Sequence, residues 1–203
     1  MRAAPDFTPD SDPASRAFAD SDLPLRLFHG TTRRRAESIL RFGFRRGTDP
    51  DASYTGTAVN LSESAAVAYE YGDYGNGGCI LEVTLRPGTT YSDRMGNAAG
   101  DSTGRRFDNW FRGNADTAAL RLYFGNVWLV WNTACIQTAR LLTKRQATAA
   151  VIECMRQDGP DCAYNGRVQD IADAYWARDR HNPVVRRYLA GLGLLVEDMA
   201  DRG

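Results

Sequence analysis

The chain has 203 residues, of which 43% are hydrophobic and 25% charged, a composition typical of a globular domain with its own core. Its 25 lysine and arginine residues balance 25 aspartate and glutamate residues, so no overall charge directs it to nucleic acid or an anionic membrane. No apolar run approaches the ~18 residues of a membrane span, and the polar start lacks the apolar stretch of a signal peptide. We therefore expect no membrane span, and a protein that is cytoplasmic or exported without a classical signal peptide.

The four cysteines are spread along the chain without CxxC spacing, and no paired histidines accompany them. A structural zinc site needs Cys and His ligands at short, regular spacings. The sequence therefore predicts free thiols and no bound metal.

Proline and aspartate are frequent in residues 1–22, where large apolar side chains are few. A segment of that kind does not bury enough apolar surface to fold by itself. The sequence predicts a disordered leader at 1–22 and a single domain over residues 23–203.

A strand followed by a helix is predicted at the start of that domain. In LRLFHG, residues 25–30, the leucines alternate with other side chains as in a half-buried strand. Thr31 or Thr32 then provides an N-cap for a helix, and Gly43 provides its end.

Three more elements are predicted before residue 87. AVNLS at 58–62 predicts a short strand, and Ser62 or Ser64 caps a helix rich in alanine. CILEVTL at 79–85 has the clearest strand alternation in the chain.

The second half of the chain is predicted to be mainly helical. Residues 87–114 are rich in Gly, Asn, Asp and Ser and predict a long loop. Segments such as ADTAALRLYF and VWLVWNTACIQTARLLT then predict consecutive helices, which form a helical extension at about 115–193. A late strand is expected at 194–198.

His29 stands where the first predicted strand ends and the first helix begins. Gly30 beside it permits close approach to the main chain, and a helix start offers unpaired N–H groups. A lone histidine at such a junction is more often a hydrogen-bonded structural residue than a ligand-binding one. The residues around His29 in the sequence therefore decide between these two roles.

That context is the order of motifs over residues 25–86. HGT at 29–31 is followed by VNLS at 59–62, a helix with two tyrosines, and the strand ILEVTL. This order resembles the ADP-ribosyltransferase superfamily, in particular its diphtheria-toxin and poly(ADP-ribose) polymerase branch with a His-Tyr-Glu signature.

The resemblance implies an α+β fold with split antiparallel β-sheets around an NAD cleft, extended here by the helical C-terminal half. It also implies a mono-ADP-ribosyltransferase that moves ADP-ribose from NAD to a macromolecular acceptor, either protein or nucleic acid. Small members of this superfamily are often bacterial toxins or effectors, so the resemblance implies that role as well.

The resemblance also assigns roles to residues. His29 would contact the adenosine-side ribose, the Gly30 main chain would bind the nicotinamide amide, and Tyr71 would frame the nicotinamide ring. The other NAD contacts expected are Thr31, Arg33, Asn60, Ser62 and Tyr69. A pocket for NAD needs aromatic faces, main-chain donors and cations; the tyrosines, the Gly30 main chain and the arginines at 33–35 supply these types.

One position departs from the family pattern. The family carries its first tyrosine eleven positions before the second, where this chain has Asn60, and a shift of two residues would instead place Tyr69 at the second position. VNLS is similar to a VHLS segment of the NAD-dependent RNA 2′-phosphotransferases, which keeps that activity open as an alternative. A non-catalytic NAD or ADP-ribose binding module is the third reading.

The reaction also needs a carboxylate. Breaking the nicotinamide–ribose bond passes through an oxocarbenium-like state, which a nearby carboxylate stabilises. Glu197 follows a strand-like segment and is the predicted catalytic carboxylate, acting together with His29; Glu153 has the right separation but lies in a predicted helix.

Overall fold

The structure is a computed structural model that describes residues 17–21, 25–49, 55–72, 78–93, 115–122, 125–159, 164, 169–170, 172–173 and 176–177. In chain order its elements are β1 (Ala17–Ser21), β2 (Leu25–Thr32), α1 (Arg33–Phe42), β3 (Val59–Ser62), α2 (Ala65–Tyr71), β4 (Gly78–Leu85), β5 (Gly88–Asp93), β6 (Thr117–Leu122), β7 (Gly125–Val130), a 3₁₀ turn (Thr133–Cys135), β8 (Ile136–Leu141) and α3 (Lys144–Asp158).

The strands form one sheet with the order β1-β5-β6-β7-β3-β2-β4-β8. Neighbouring strands are antiparallel except β5 and β6, which are parallel. A single register pair, Phe28 with Ser62, joins β2 to β3. The sheet is therefore split into a five-stranded part and a three-stranded part, which confirms the predicted α+β class and the split of its mainly antiparallel strands.

Each face of the sheet is buried in its own hydrophobic cluster. Successive residues of a strand point to opposite faces. On one face, Phe28 and Ile80 pack with the alanines of α2 and the apolar side of α3. On the other face, Leu27 and Leu81 pack with Ala36 of α1 and with the inner residues of β3 and β7. Strand β2 is therefore packed on both faces up to Phe28, the residue before His29.

Side-chain caps fix the helix ends close to their predicted positions. Thr32 is the N-cap of α1, and its hydroxyl accepts a hydrogen bond from the Arg35 main-chain N–H. Gly43 ends α1 with a positive φ of 78°, a conformation that favours glycine. In α3, Thr143 and Gln146 form a reciprocal capping box.

The leader prediction is wrong at its C-terminal end. Residues Ala17–Ser21 form β1, which pairs antiparallel with β5. Strand pairing with β5 satisfies the main-chain hydrogen bonds of this segment. The composition of the segment alone does not predict that pairing. Residues 1–16 and 22–24 lie outside the described residues.

The predicted helical extension is wrong over its first third, where the chain forms β6, β7 and β8. In β6, Ala118 and Leu120 enter one hydrophobic cluster while Ala119 enters the other. A strand buried on both faces is a continuous apolar run, and periodicity alone does not distinguish it from a buried helix.

The helix predicted around residues 145–159 is confirmed as α3. In the loop predicted at 87–114, Gly88–Asp93 form β5, and residues 94–114 lie outside the described residues. The late strand at 194–198 also lies outside them. Within the part of the chain that is described, no helix is both long enough and apolar enough to span a membrane.

Gly30 has a structural reason to be glycine. A Cβ atom at this position would overlap the carbonyl oxygen of Ala68 and would lie 2.7 Å from the main-chain nitrogen of Gly72. Strand β2 and helix α2 therefore touch main chain to main chain. The sequence indicated that another group could approach the Gly30 main chain closely. At the α-carbon of Gly30, that group is helix α2.

Gly30→Ala is expected to lower the free energy of unfolding by about 1–3 kcal/mol, because the added methyl group meets main-chain atoms that do not move independently. Gly47→Ala is the matched control, since its Cβ would lie 3.5 Å from the nearest atom, an ordinary contact. Urea unfolding followed by circular dichroism measures both. Equal midpoints for the two variants would contradict this account of Gly30.

Candidate functional site

A cleft opens where β3 separates from β2. Beyond the Phe28–Ser62 pair, the Asn60 main-chain oxygen accepts a hydrogen bond from Nδ1 of the His29 side chain at 2.8 Å. The cleft has a volume of about 480 Å³ and is walled by the end of β2, α1 and the residues after it, β3, and the end of α2. Small-molecule sites commonly have about 300–1,000 Å³, so the cleft has room for a ligand.

The tautomer of His29 follows from this hydrogen bond. A carbonyl oxygen only accepts, so Nδ1 carries a hydrogen, and in the neutral ring Nε2 is the acceptor. Burial lowers the pKa of His29; the hydrogen bond to Asn60 opposes that shift, and the charge of Arg35 adds to it. The imidazole is therefore neutral at pH 7, and its free nitrogen suits a hydroxyl donor.

Two aromatic side chains line the cleft. Tyr71, at the end of α2, has 63% of its surface exposed. Phe44 packs edge-on against the His29 ring, with 5.2 Å between centroids and 83° between planes. Tyr69, by contrast, is buried in the core against α3, so Tyr71 is the tyrosine of α2 that faces the cleft.

Two arginines line the cleft, and one of them belongs to the predicted cluster at 33–35. Arg35 and Arg45 belong to its wall. Arg33, predicted to contact NAD, points away and pairs with Glu37 at 2.9 Å on the exposed side of α1. An (i, i+4) spacing puts two side chains on the same helix face, which explains this pairing.

Ser62 is also placed elsewhere. Its hydroxyl accepts a hydrogen bond from the Ser64 main-chain N–H at 3.0 Å and faces the Asn126 carbonyl at 3.5 Å. It therefore organises the turn between β3 and α2. The structure brings together five of the predicted site residues in the cleft: His29, Gly30, Thr31, Asn60 and Tyr71.

Glu153 does not reach the cleft. Its carboxylate pairs with Arg26 at 3.4 Å. Arg26 and His29 are three positions apart in β2 and so point to opposite faces of the strand. The Arg26 guanidinium lies over the Phe28 ring, 5.1 Å from its centroid, on the face that α3 covers.

Glu82 belongs to the same ion network. Arg26 and Arg140 both contact its carboxylate at 2.8 Å. Burial opposes ionisation, but the hydrogen bonds and charges of these two arginines lower the pKa of Glu82 below its ordinary value. No carboxylate lines the cleft within the described residues, and Glu197 lies outside them.

Sequence reasoning missed Phe44 and Arg45 as cleft residues, along with Ser38 and Ile39 of α1. Phe44 and Arg45 follow Gly43 directly, and the left-handed turn there is the signal that the chain folds back. Only the fold shows that it folds back onto His29.

The described cysteines are buried free thiols. Cys79, Cys135 and Cys154 form no disulfide, and burial raises the pKa of each thiol. Cys162 lies outside the described residues. In the part of the chain with described coordinates, no three His, Cys, Asp or Glu side chains gather as metal ligands would.

No family model and no curated protein matches this sequence. Among solved structures, the chain is similar to a chain of the M. tuberculosis MbcT-MbcA toxin-antitoxin complex. The two are 12% identical, with 68% of this chain and 93% of that chain covered and a TM-score of 0.41.

The His29 imidazole is expected to titrate below the ordinary pKa of 6.5. A lowered pKa in the folded protein means that the unfolded chain binds more protons below pH 6.5, so His29 contributes stability above that pH and loses it as the pH falls. NMR of the imidazole ring, together with unfolding measured between about pH 5 and 7.5, checks both. His29→Gln should remove this part of the pH dependence, and an imidazole pKa above 6.5 would contradict burial as the dominant influence on His29.

Proposed function

We propose that the cleft binds NAD and that the protein transfers ADP-ribose from NAD to a macromolecular acceptor with release of nicotinamide. The observation that carries this proposal is the neutral His29, held by the Asn60 carbonyl at the point where the sheet splits. The resemblance of residues 25–86 to ADP-ribosyltransferases assigns ribose binding to His29, and a neutral imidazole in a cleft supports that assignment.

His29 is proposed to bind a ribose of NAD. Its Nε2 atom accepts a hydrogen bond from a ribose hydroxyl, which a protonated imidazole, with two donors, would not do. The Arg35 charge that disfavours protonation thereby also keeps His29 in its binding form.

Tyr71 and Phe44 are proposed to bind the nicotinamide ring. The ring is a cation in NAD, and aromatic faces attract cations. Phe44 supplies an aromatic surface in the cleft wall, which offsets the absence of a tyrosine at Asn60. The Asn60 amide donates to the Ala58 carbonyl at 3.4 Å.

Arg35 and Arg45 are proposed to bind the pyrophosphate. Guanidinium groups form paired, charge-assisted hydrogen bonds with phosphate oxygens. Both residues line the cleft, Arg35 on α1 and Arg45 just after it.

In the proposed reaction, the bond between the nicotinamide nitrogen and the ribose C1′ breaks, and nicotinamide leaves with the bonding electron pair as a neutral molecule. An oxygen or nitrogen atom of the acceptor forms the new bond to C1′ and loses its proton to a base or to water. Glu197 is proposed as the carboxylate that stabilises the positive charge developing on the ribose. The role of a toxin or effector is part of the same proposal.

NAD binding without turnover is the second candidate function. It is favoured by the position of Glu153, which pairs with Arg26 on the other face of β2. Measuring binding and nicotinamide release separately distinguishes the two functions.

Arg35→Ala is expected to weaken NAD binding about tenfold or more, because it removes a charge-assisted phosphate contact of about 1.5–3 kcal/mol. Arg33→Ala is the matched control, two residues away on the same helix but paired with Glu37, and should change the dissociation constant less than twofold. Calorimetric titration with NAD measures both, with His29→Ala and Tyr71→Ala as further weakened variants. Equal effects of the two arginine variants would reject the cleft as the NAD site.

Glu197→Gln is expected to reduce nicotinamide release at least about a hundredfold while leaving NAD binding nearly unchanged, since its charge acts in the transition state. Glu153→Gln should leave the release rate unchanged. Nicotinamide is measured by chromatography with cell lysate as the source of acceptor. NAD binding without release in the wild-type protein would establish the binding module instead, and release that needs 2′-phosphorylated RNA would establish the phosphotransferase.

A further inference from the structure

The segment 33–46, which comprises α1 and the residues after it, carries an unusual concentration of positive charge. It contains six arginines and one glutamate, a formal charge of +5, in a chain whose total formal charge is zero. Arg33 pairs with Glu37. The other five, Arg34, Arg35, Arg41, Arg45 and Arg46, have no ion pair among the described residues.

The same segment exposes apolar side chains. Phe42 has 57% of its surface exposed and Leu40 has 44%. The Arg41 and Arg45 guanidinium groups lie over the Phe42 ring, at 5.0 and 5.8 Å from its centroid. The exposed ring and the guanidinium groups beside it add an aromatic surface to this concentration of charge.

We propose that this surface, defined by Arg34, Arg41, Phe42, Arg45 and Arg46, binds single-stranded nucleic acid and thereby presents it to the cleft as the acceptor. The proposal rests on the proposed function for the identity of the cleft, whereas binding to the surface is independent of it. Arg45 belongs both to this surface and to the cleft wall, so a strand bound here lies at the mouth of the cleft.

Charge and stacking together favour this class of partner. The phosphate backbone of a single strand pairs with arginines, and its unpaired bases stack on aromatic rings and on guanidinium planes. A duplex keeps its bases stacked internally and would use the arginines but not Phe42. An acidic protein would also satisfy the arginines, but it offers no repeated flat rings for Phe42.

The first test measures binding directly. Fluorescence anisotropy is followed with labelled single-stranded RNA and DNA of about 12 nucleotides, and with the corresponding duplex. The wild-type protein should bind the single strands, and the affinity should fall steeply between about 50 and 200 mM salt. Comparison of RNA with DNA identifies which single strand is preferred.

Three variants locate the site. The double variant Arg41→Glu/Arg45→Glu should weaken binding at least about tenfold, and Phe42→Ala, which keeps the charge, should weaken it about tenfold through lost stacking. Arg86→Glu/Arg145→Glu makes the same change of charge at exposed arginines outside the segment and should have less than a twofold effect. Loss of binding in both double variants, or duplex bound as tightly as single strands with Phe42→Ala silent, would overturn the proposal.

The second test separates this proposal from the proposed function. His29→Ala should lose NAD binding but keep oligonucleotide binding, so a failure of NAD chemistry leaves the first test decisive. With labelled NAD and cell lysate, the label should enter material that nuclease removes. Label in nuclease-resistant, protease-sensitive material would reject nucleic acid as the acceptor in favour of a protein.

Discussion

The hydrogen bond from the His29 imidazole to the Asn60 carbonyl is the interaction on which the cleft depends. Where two antiparallel strands part, their main-chain groups lose partners, and a buried carbonyl without a donor is costly. His29 supplies that donor from its side chain, 2.8 Å away. The strands stay apart without an unsatisfied group at this point, and the same bond fixes the imidazole tautomer. One hydrogen bond therefore both stabilises the separation of β2 from β3 and leaves Nε2 of His29 as an acceptor.

The neighbouring residue positions the other side of the cleft. Gly30 lets α2 approach β2 so closely that the Ala68 carbonyl occupies the place of a side chain. The alanines of α2 are buried for the same reason, because larger side chains would lift the helix from the sheet. Tyr71 is the last residue of this buried helix. The packing of the alanines earlier in α2 therefore determines that Tyr71 lies beside the cleft. Gly30 thus shapes the cleft both with its own main chain and by allowing α2 to pack close to β2.

The sequence predicts best where an element carries polar side chains among its apolar ones. β2, α1 and β4 have alternating or amphipathic patterns and clear caps, and their positions agree closely with the structure. β6 and β7 are buried on both faces and have no polar–apolar alternation, so the pattern did not distinguish them from buried helices. The site followed the same division: His29 and Tyr71 were found from local motifs. The choice of Arg35 over Arg33, and the place of Phe44 in the cleft, depend on the fold.

Asn60 shows why a sequence motif, which specifies side chains, does not fully define such a site. The group that holds His29 is the main-chain carbonyl of residue 60, which any residue at this position provides. Its side chain is therefore free to vary without loss of the histidine anchor, and here it makes a local bond to Ala58. Phe44 reaches the cleft from the other wall and packs against the His29 ring, so an aromatic side chain lines the cleft although residue 60 is not aromatic.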